Sequence, residues 1–255
     1  MHNNLAKAKL KIGDAVYGCF VRYPSAGLVE VLGYQPWDFM VFDGEHGTLE
    51  PGDCEHMVRA AELRGLTPMV RVTTNQPHII LRFMDTGVQG LHVPWVNSAA
   101  EAEQVMLSVK YHPRGIRGLA GVRAADYAQT VPLSEYVQHS NDETLVVVQI
   151  ETQQAIEQLP EIIRIEGIDV IFIGPADLSQ SFGVPGQLQH ASVQDGINKI
   201  VDIVAGSDKV LGIMVSDAQG ARQWLERGAR YIAITLEALV NPAARNYLKA
   251  IRGPQ

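Results

Sequence analysis

Glu151 and Asp177 each follow a short apolar run, VVVQI (146–150) and VIFIGPA (170–176). A carboxylate beside so much apolar surface is costly to bury unless something positive neutralises it. Other polar residues sit at the ends of similar runs: Asp43, Glu45 and His46 in FDGEHG (42–47), Arg71 in MVRV (69–72), and Gln149 two residues before Glu151. Singly, each has an ordinary explanation. Asp177 and Glu151 suit helix N-caps, His46 a loop histidine, Arg71 a salt-bridge partner. Together they describe one polar site assembled from several strand ends.

The donor types narrow the chemistry. Carboxylates without a His/Cys cluster are hard oxygen ligands, so Mg2+ or Mn2+ is favoured over structural zinc, with Co2+ a further candidate. Two protein ligands leave about four octahedral positions for water and a chelating 2-keto acid. The backbone N–H groups of Ala176 and Asp177, just past Gly174, are candidates to hold the substrate carboxylate. A metal and Arg71 would both face the oxygen that becomes negative in an enolate. His46, oriented by Asp43 or Glu45, would relay a proton near neutral pH. Arg22, at the end of the first strand-like run, could pair with a carboxylate on the aldehyde partner; an ion pair with a rim acid is the alternative. His92 and Trp95 are read as packing residues.

The lysines (Lys7, Lys9, Lys11, Lys110, Lys199, Lys209 and Lys249) all lie away from the C-terminal ends of strand-like runs. A Schiff-base aldolase therefore has no candidate nucleophile. The chain also lacks GxxxxGK[ST], GxSxG and GxGxxG.

Such residues need a scaffold that gathers strand ends. Strand-like runs at 15–21, 38–43, 67–72, 90–96, 145–151, 169–174, 210–215 and 230–235 alternate with amphipathic stretches such as 54–65, 99–111 and 220–228. Continuously apolar strands are expected where both faces are covered, as in parallel sheets. Eight βα units predict an α/β fold of the (β/α)8 TIM barrel type, a single domain over residues 1–255. A doubly wound open sheet is the alternative, without a Gly-rich fingerprint to support it. Gly65, Gly87, Gly167 and Gly228 sit where helix C-caps are wanted. The connection at 111–143, after the fourth run and its helix, is abnormally long and carries Arg114, Arg117 and Arg123; it suggests a subunit contact or a lid.

Composition sets outer bounds. Net charge is −7, with 46% hydrophobic residues. No basic stripe speaks for nucleic acid, no apolar run suits a membrane span, and two lone cysteines without CxxC spacing suit a reducing, cytoplasmic setting.

The segments FDGEHG, MVRV, YHPRGIRG (111–118), VQIET (148–152) and FIGPADLS (172–179) resemble the class II pyruvate aldolases of the hydroxy-oxo-heptanedioate aldolase family, which includes 2-dehydro-3-deoxyglucarate aldolases. The resemblance runs over nearly the whole chain. It implies cleavage of 2-keto-4-hydroxy acids to pyruvate and an aldehyde, with metal held at Glu151 and Asp177. It further implies that Arg71 polarises the keto oxygen, that His46 and Asp43 form a dyad, and that Gln149 is the family's glutamine before the metal glutamate. It also implies homo-oligomers, hexamers built from dimers that exchange a C-terminal helix, here roughly Pro242–Ile251. Four features depart from the family pattern: YHPRG in place of YPPxG, a shorter stretch after RGIRG, ITLEA (234–238) at the end of the last strand, and Arg22. A citramalyl-CoA-type lyase and a non-catalytic binding barrel are the competing readings.

Overall fold

The computed structural model describes residues 3–253. Eight strands close into an all-parallel barrel in chain order: β1 (Val16–Val21), β2 (Phe39–Asp43), β3 (Thr67–Arg71), β4 (Gly90–Val93), β5 (Leu145–Ile150), β6 (Val170–Ile173), β7 (Val210–Val215) and β8 (Tyr231–Thr235). β8 pairs back onto β1, as the expected (β/α)8 architecture requires. Side chains alternate between the two faces of a strand. One set, including Phe39, Val41, Met69, Val147, Phe172 and Tyr231, fills the barrel interior. The other set, including Met40, Phe42, Val70, Val148 and Ile171, packs under the helices. That parity positions the site: two residues beyond Val41, Met69 and Val147, the inward positions are Asp43, Arg71 and Gln149.

The helices are α1 (Leu5–Lys11), α2 (Ala26–Leu32), α3 (Pro51–Leu63), α4 (Pro77–Met84), α5 (Ala99–Val109), α6 (Leu133–Glu143), α7 (Gln153–Ile162), α8 (Pro175–Ser181), α9 (Ala191–Ala205), α10 (Ala218–Glu226) and α11 (Leu236–Arg252). Helix α1 closes the N-terminal end of the barrel. The Asn4 side chain caps it by accepting from Lys7 N at 2.8 Å, and Ala6 and Leu10 join the interior cluster. Burying Leu10 there contributes roughly 1.5–3 kcal/mol. The four expected C-cap glycines adopt φ of 68°, 97°, 91° and 93°, at positions 65, 87, 167 and 228. Among the described residues, no helix is long and apolar enough to cross a membrane.

The fourth strand-like run is cut short. β4 ends at Val93, because Pro94 has no N–H to donate and Trp95 turns into the left-handed region with φ 55°.

The 111–143 connection leaves and re-enters at the N-terminal end of the barrel, yet it is not structureless. Its last third is helix α6, which its polar sequence LSEYVQHSNDE concealed. Its earlier part is tied down by three arginines, one to α6 and two to the barrel's own helices. Arg114 pairs with Asp142 (2.8 Å) and Arg117 with Asp85 (2.8 Å). Arg123 binds Glu62 and donates to Thr86 O. A small cluster around Tyr111 and Tyr136 fills the space between.

Lys110, where this excursion begins, is buried and donates to Asn141 O (2.7 Å) and Thr144 O (3.2 Å), the latter shared with Lys7. Burial, with the Lys7 charge, pulls its ammonium down to about 7. An unfolded chain keeps that proton to about pH 10.4. Above about pH 7 the unfolded state therefore binds more protons, and stability rises with pH. Between pH 7 and 8, below the range where unfolded cysteines titrate, the melting temperature of the wild type is expected to rise. Lys110→Met should flatten that rise, and an unchanged slope would show that Lys110 is not its source.

Candidate active site at the C-terminal strand ends

In parallel barrels of this kind the chemistry lies at the C-terminal ends of the strands, and the polar residues singled out in the sequence converge there. Asp43, fully buried at the end of β2, grips Arg71 at the end of β3. Arg71 Nε donates to Asp43 Oδ1 (2.9 Å) and Nη2 to Oδ2 (2.6 Å), a bidentate pair. The backbone N–H groups of Glu45 and His46 add two bonds to Oδ1, each 3.2 Å. Burial alone would raise the Asp43 carboxyl, but Arg71 and these amides outweigh it and hold the group below its ordinary range. The third guanidinium nitrogen, Nη1, lies 3.1 Å from Glu45 Oε2. Arg71 is thus fixed in place and faces the rim. The loop has no room for a larger residue at Gly47, where a Cβ would lie 2.4 Å from Asp43 O.

His46 reaches Asp43 only through its backbone. Its ring is exposed and its carboxylate neighbour is Glu45, at 3.9 Å, while both Asp43 oxygens are committed to Arg71. Within one chain, the carboxylate beside the imidazole is Glu45, the second of the two acids considered from sequence, and the ring is not paired with Asp43.

Glu151 follows β5 and is buried. Trp95 N donates to its Oε1 (2.6 Å) and Gln149 Nε2 to its Oε2 (2.9 Å). Asp177 lies in the first turn of α8, whose N-cap is Gly174. Ala176 and Asp177 precede the first intrahelical bond, from Leu178 N to Gly174 O, so their N–H groups have no acceptor within the helix. A Cβ at position 174 would meet Glu151 Oε2 at 2.6 Å, so only glycine lets the β6–α8 turn come this close. Burial, reinforced by Asp177 and Glu45, pushes the Glu151 carboxyl up to about 7 despite its two donors. Burial likewise raises Glu45 against the opposing charge of Arg71.

These acids lack compensating charge. Arg71 balances Asp43 and touches Glu45, while Glu151 has only neutral donors. A cation held between Glu151 and Asp177 fits this surplus and the oxygen-only donor set. Among the described residues no three His, Cys, Asp or Glu side chains cluster closely enough to enclose an ion.

Arg22 does stand on the same rim, at 3.4 Å from Asp43 Oδ2 and 3.7 Å from Glu237 Oε1. This is the rim-acid pairing weighed as the alternative for it. Two contributors escaped the sequence reading. Trp95, read as a packing residue, has an exposed side chain; its amide serves Glu151 only because the backbone takes a left-handed turn, which no residue pattern announces for a tryptophan. Glu237, in ITLEA, was visible as a departure but carried no sign that it would face Arg22. His92, by contrast, is packed inside the barrel as expected, against Phe20 and Phe172.

Comparisons agree with this geometry. The profile of the HpcH/HpaI aldolase/citrate lyase family matches residues 16–242. A 4-hydroxy-2-oxo-heptane-1,7-dioate aldolase from Escherichia coli is 35% identical over 252 residues, 99% of this chain and 96% of that protein. A 5-keto-4-deoxy-D-glucarate aldolase from Shigella boydii is 35% identical over 231 residues, 91% of this chain and 89% of its own. Among solved structures, an HpcH/HpaI aldolase/citrate lyase family protein from Burkholderia cenocepacia superposes with a TM-score of 0.93 at 28% identity, covering 98% of this chain and all of that one. Barrel, rim and relatives together define a class II pyruvate aldolase, a carbon–carbon lyase. The chain belongs to the HpcH/HpaI aldolase/citrate lyase family.

Proposed function

We propose that Glu151 and Asp177 hold a divalent cation, Mg2+ or Mn2+ with Co2+ as a substitute, in an aldolase that reversibly cleaves 2-keto-4-hydroxy acids to pyruvate and an aldehyde. The observation that carries this reading is the buried Glu151, which has Asp177 and Glu45 as electrostatic neighbours and no cation of its own. When bound, such an ion supplies Lewis-acid polarisation of the keto oxygen. The chain's own groups do the rest. Arg71, fixed by Asp43, presents positive charge where the enolate oxygen develops. The N–H groups of Ala176 and Asp177, past the Gly174 turn, and the Gln149 amide orient the 2-keto acid. His46 exchanges a proton with the hydroxyl oxygen at C4, where the bond to C3 breaks. The test is condensation of pyruvate with a panel of aldehydes, using protein stripped by chelator and then resupplied with Mg2+, Mn2+ or Co2+. Full activity in stripped protein would overturn the assignment.

Arg22 is proposed to read acidic groups on the aldehyde, in exchange for its long contacts with Asp43 and Glu237. Arg22→Ala should raise KM for semialdehydes carrying a carboxylate while leaving neutral aldehydes near the wild-type value. An equal change for both would remove Arg22 from the specificity pocket.

We further propose a cytoplasmic homo-oligomer with no nucleic-acid or membrane partner. Both cysteines are free and buried. Helix α11 has Val240, Tyr247, Leu248 and Ile251 exposed, and only Leu236 of its residues is buried. Such an apolar helix calls for a partner, and the exchange of this helix between subunits of a hexamer is the arrangement we favour. Tyr247→Asp with Leu248→Asp should shift the sedimentation of the protein toward smaller species.

A further inference from the structure

Beneath the site, inside the barrel, lies a polar pair that the proposed chemistry does not touch. His92 on β4 and Tyr231 on β8 are fully buried, with Nε2 and Oη 2.7 Å apart. The imidazole is set edge-on to Phe20 and Phe172, with ring centroids 5.2 and 5.0 Å away. Tyr231 stacks on Phe39 at 4.2 Å. Above them, His92 Nδ1 and Gln149 Oε1 are both buried and neither has a hydrogen bond of good geometry. The two side chains nonetheless interact, in the sense that favours a proton on the imidazole. Buried polar atoms left unpaired are costly, so two of them on interacting side chains mark a bond that a small rotation closes.

We infer that His92 and Tyr231 are positioning residues for the carboxylate site: Tyr231 Oη–H donates to His92 Nε2, His92 Nδ1–H donates to Gln149 Oε1, and Gln149 Nε2–H is thereby held on Glu151. The polarity of this chain is set at its upper end. An ionised carboxylate only accepts, so Gln149 must turn its NH2 to Glu151, where the two atoms are 2.9 Å apart. Its carbonyl oxygen then faces His92 and requires a donor, which places the imidazole proton on Nδ1. Nε2 is left as an acceptor, and the tyrosine hydroxyl is the donor beside it. The opposite polarity would set Gln149 Oε1 against a Glu151 oxygen. Burial keeps both groups in the states this requires: it draws the imidazole down to about 3, helped by the Arg71 charge, and lifts the tyrosine hydroxyl well above its ordinary value. Neither group touches the rim. Their effect on chemistry passes through Gln149, as outer partners of a ligand commonly act.

The effect on ion binding rests on the role proposed for Glu151; the proton arrangement does not, and the experiment separates the two. In metal-free wild type at pH 8, ring 15N shifts, with His92 assigned by its loss in His92→Gln, should report the neutral Nδ1–H form. Tyr231→Phe keeps the ring that stacks on Phe39 and removes only the donor. It should leave the imidazole proton on Nδ1, where Gln149 Oε1 still accepts it, but unpin the ring at Nε2 and weaken Mn2+ binding, read by calorimetry, by about 10-fold or more. A wild-type His92 protonated at Nε2, or a Tyr231→Phe protein that binds Mn2+ as tightly as wild type, would overturn the inference. Wild type that binds no Mn2+ would instead overturn the role of Glu151, and the 15N shifts would still decide the direction of the hydrogen-bond chain.

Discussion

Glu151→Gln is expected to lose divalent-ion binding and to slow aldol cleavage by about 10^3-fold or more, while the barrel remains folded. The carboxylate is buried against Trp95 N and Gln149 and serves no strand pairing, so neutralising it leaves the ladder intact. The same group makes the metal-free protein sensitive to pH. Burial lifts its carboxyl to about 7, whereas an unfolded chain releases that proton near pH 4.3. Between those values the folded protein binds more protons, so this contribution to stability is complete at low pH and is lost as pH rises through about 7. Protons also compete with the ion, so Mn2+ affinity of the wild type should fall as pH drops through about 7. Calorimetric titration with Mn2+ at pH 6 and 8 checks the second expectation. Melting of metal-free wild type and Glu151→Gln at pH 5 and 7 checks the first, since the variant should lose less stability between them. Parallel melting behaviour would assign that pH dependence to other groups.

Arg71→Ala is expected to impair both proton exchange at the pyruvate methyl and aldol cleavage, whereas His46→Ala should chiefly slow cleavage, by about 10^2–10^4-fold. The difference follows from their settings. Arg71 is buried, doubly bonded to Asp43, and offers a fixed charge to any enolate, whether it arises from pyruvate or from the cleaved acid. His46 is exposed, with only Glu45 nearby at 3.9 Å, which suits a group that shuttles a proton on the aldehyde side. Deuterium incorporation into pyruvate, measured beside aldol turnover in both variants, separates the roles. Equal losses of both activities in both variants would refute this division. Arg71→Ala also strips Asp43 of its counter-charge inside the barrel. A companion Arg71→Lys variant, which keeps the charge but loses the fork, guards against a simple folding defect.

Much of this site was legible because polar residues that end continuously apolar runs stand out locally. The structure places Val41, Met69 and Val147 inside the barrel, so the residues two beyond them, Asp43, Arg71 and Gln149, share that inward face. Glu151 and Asp177 stood out for a related reason: a carboxylate ending an apolar run needs a partner whatever the fold. The closing of the barrel in chain order likewise follows from continuously apolar strands that alternate with helices. Helix α6 was hidden because its polar sequence shows no clear apolar stripe, and much of its anchoring is polar, through Asn141 to Tyr111 and through the Asn141 carbonyl to Lys110.

What only the tertiary structure decided are the pairings across strands far apart in the chain. Asp43 commits both oxygens to Arg71 and leaves the His46 ring to Glu45, a choice between two acids that the DGEH sequence permits equally. Trp95 N reaches Glu151 across 56 residues of chain because Pro94 ends β4 and the next residue turns left-handed. Arg22 meets Glu237, and His92 meets Tyr231, because β1 and β8 close the barrel and β4 faces β8 across its interior. Local patterning determines which way each side chain points. Closure of the barrel determines which of them meet, because hydrogen bonds and ion pairs act over a few ångströms and depend on distances that no stretch of sequence encodes alone.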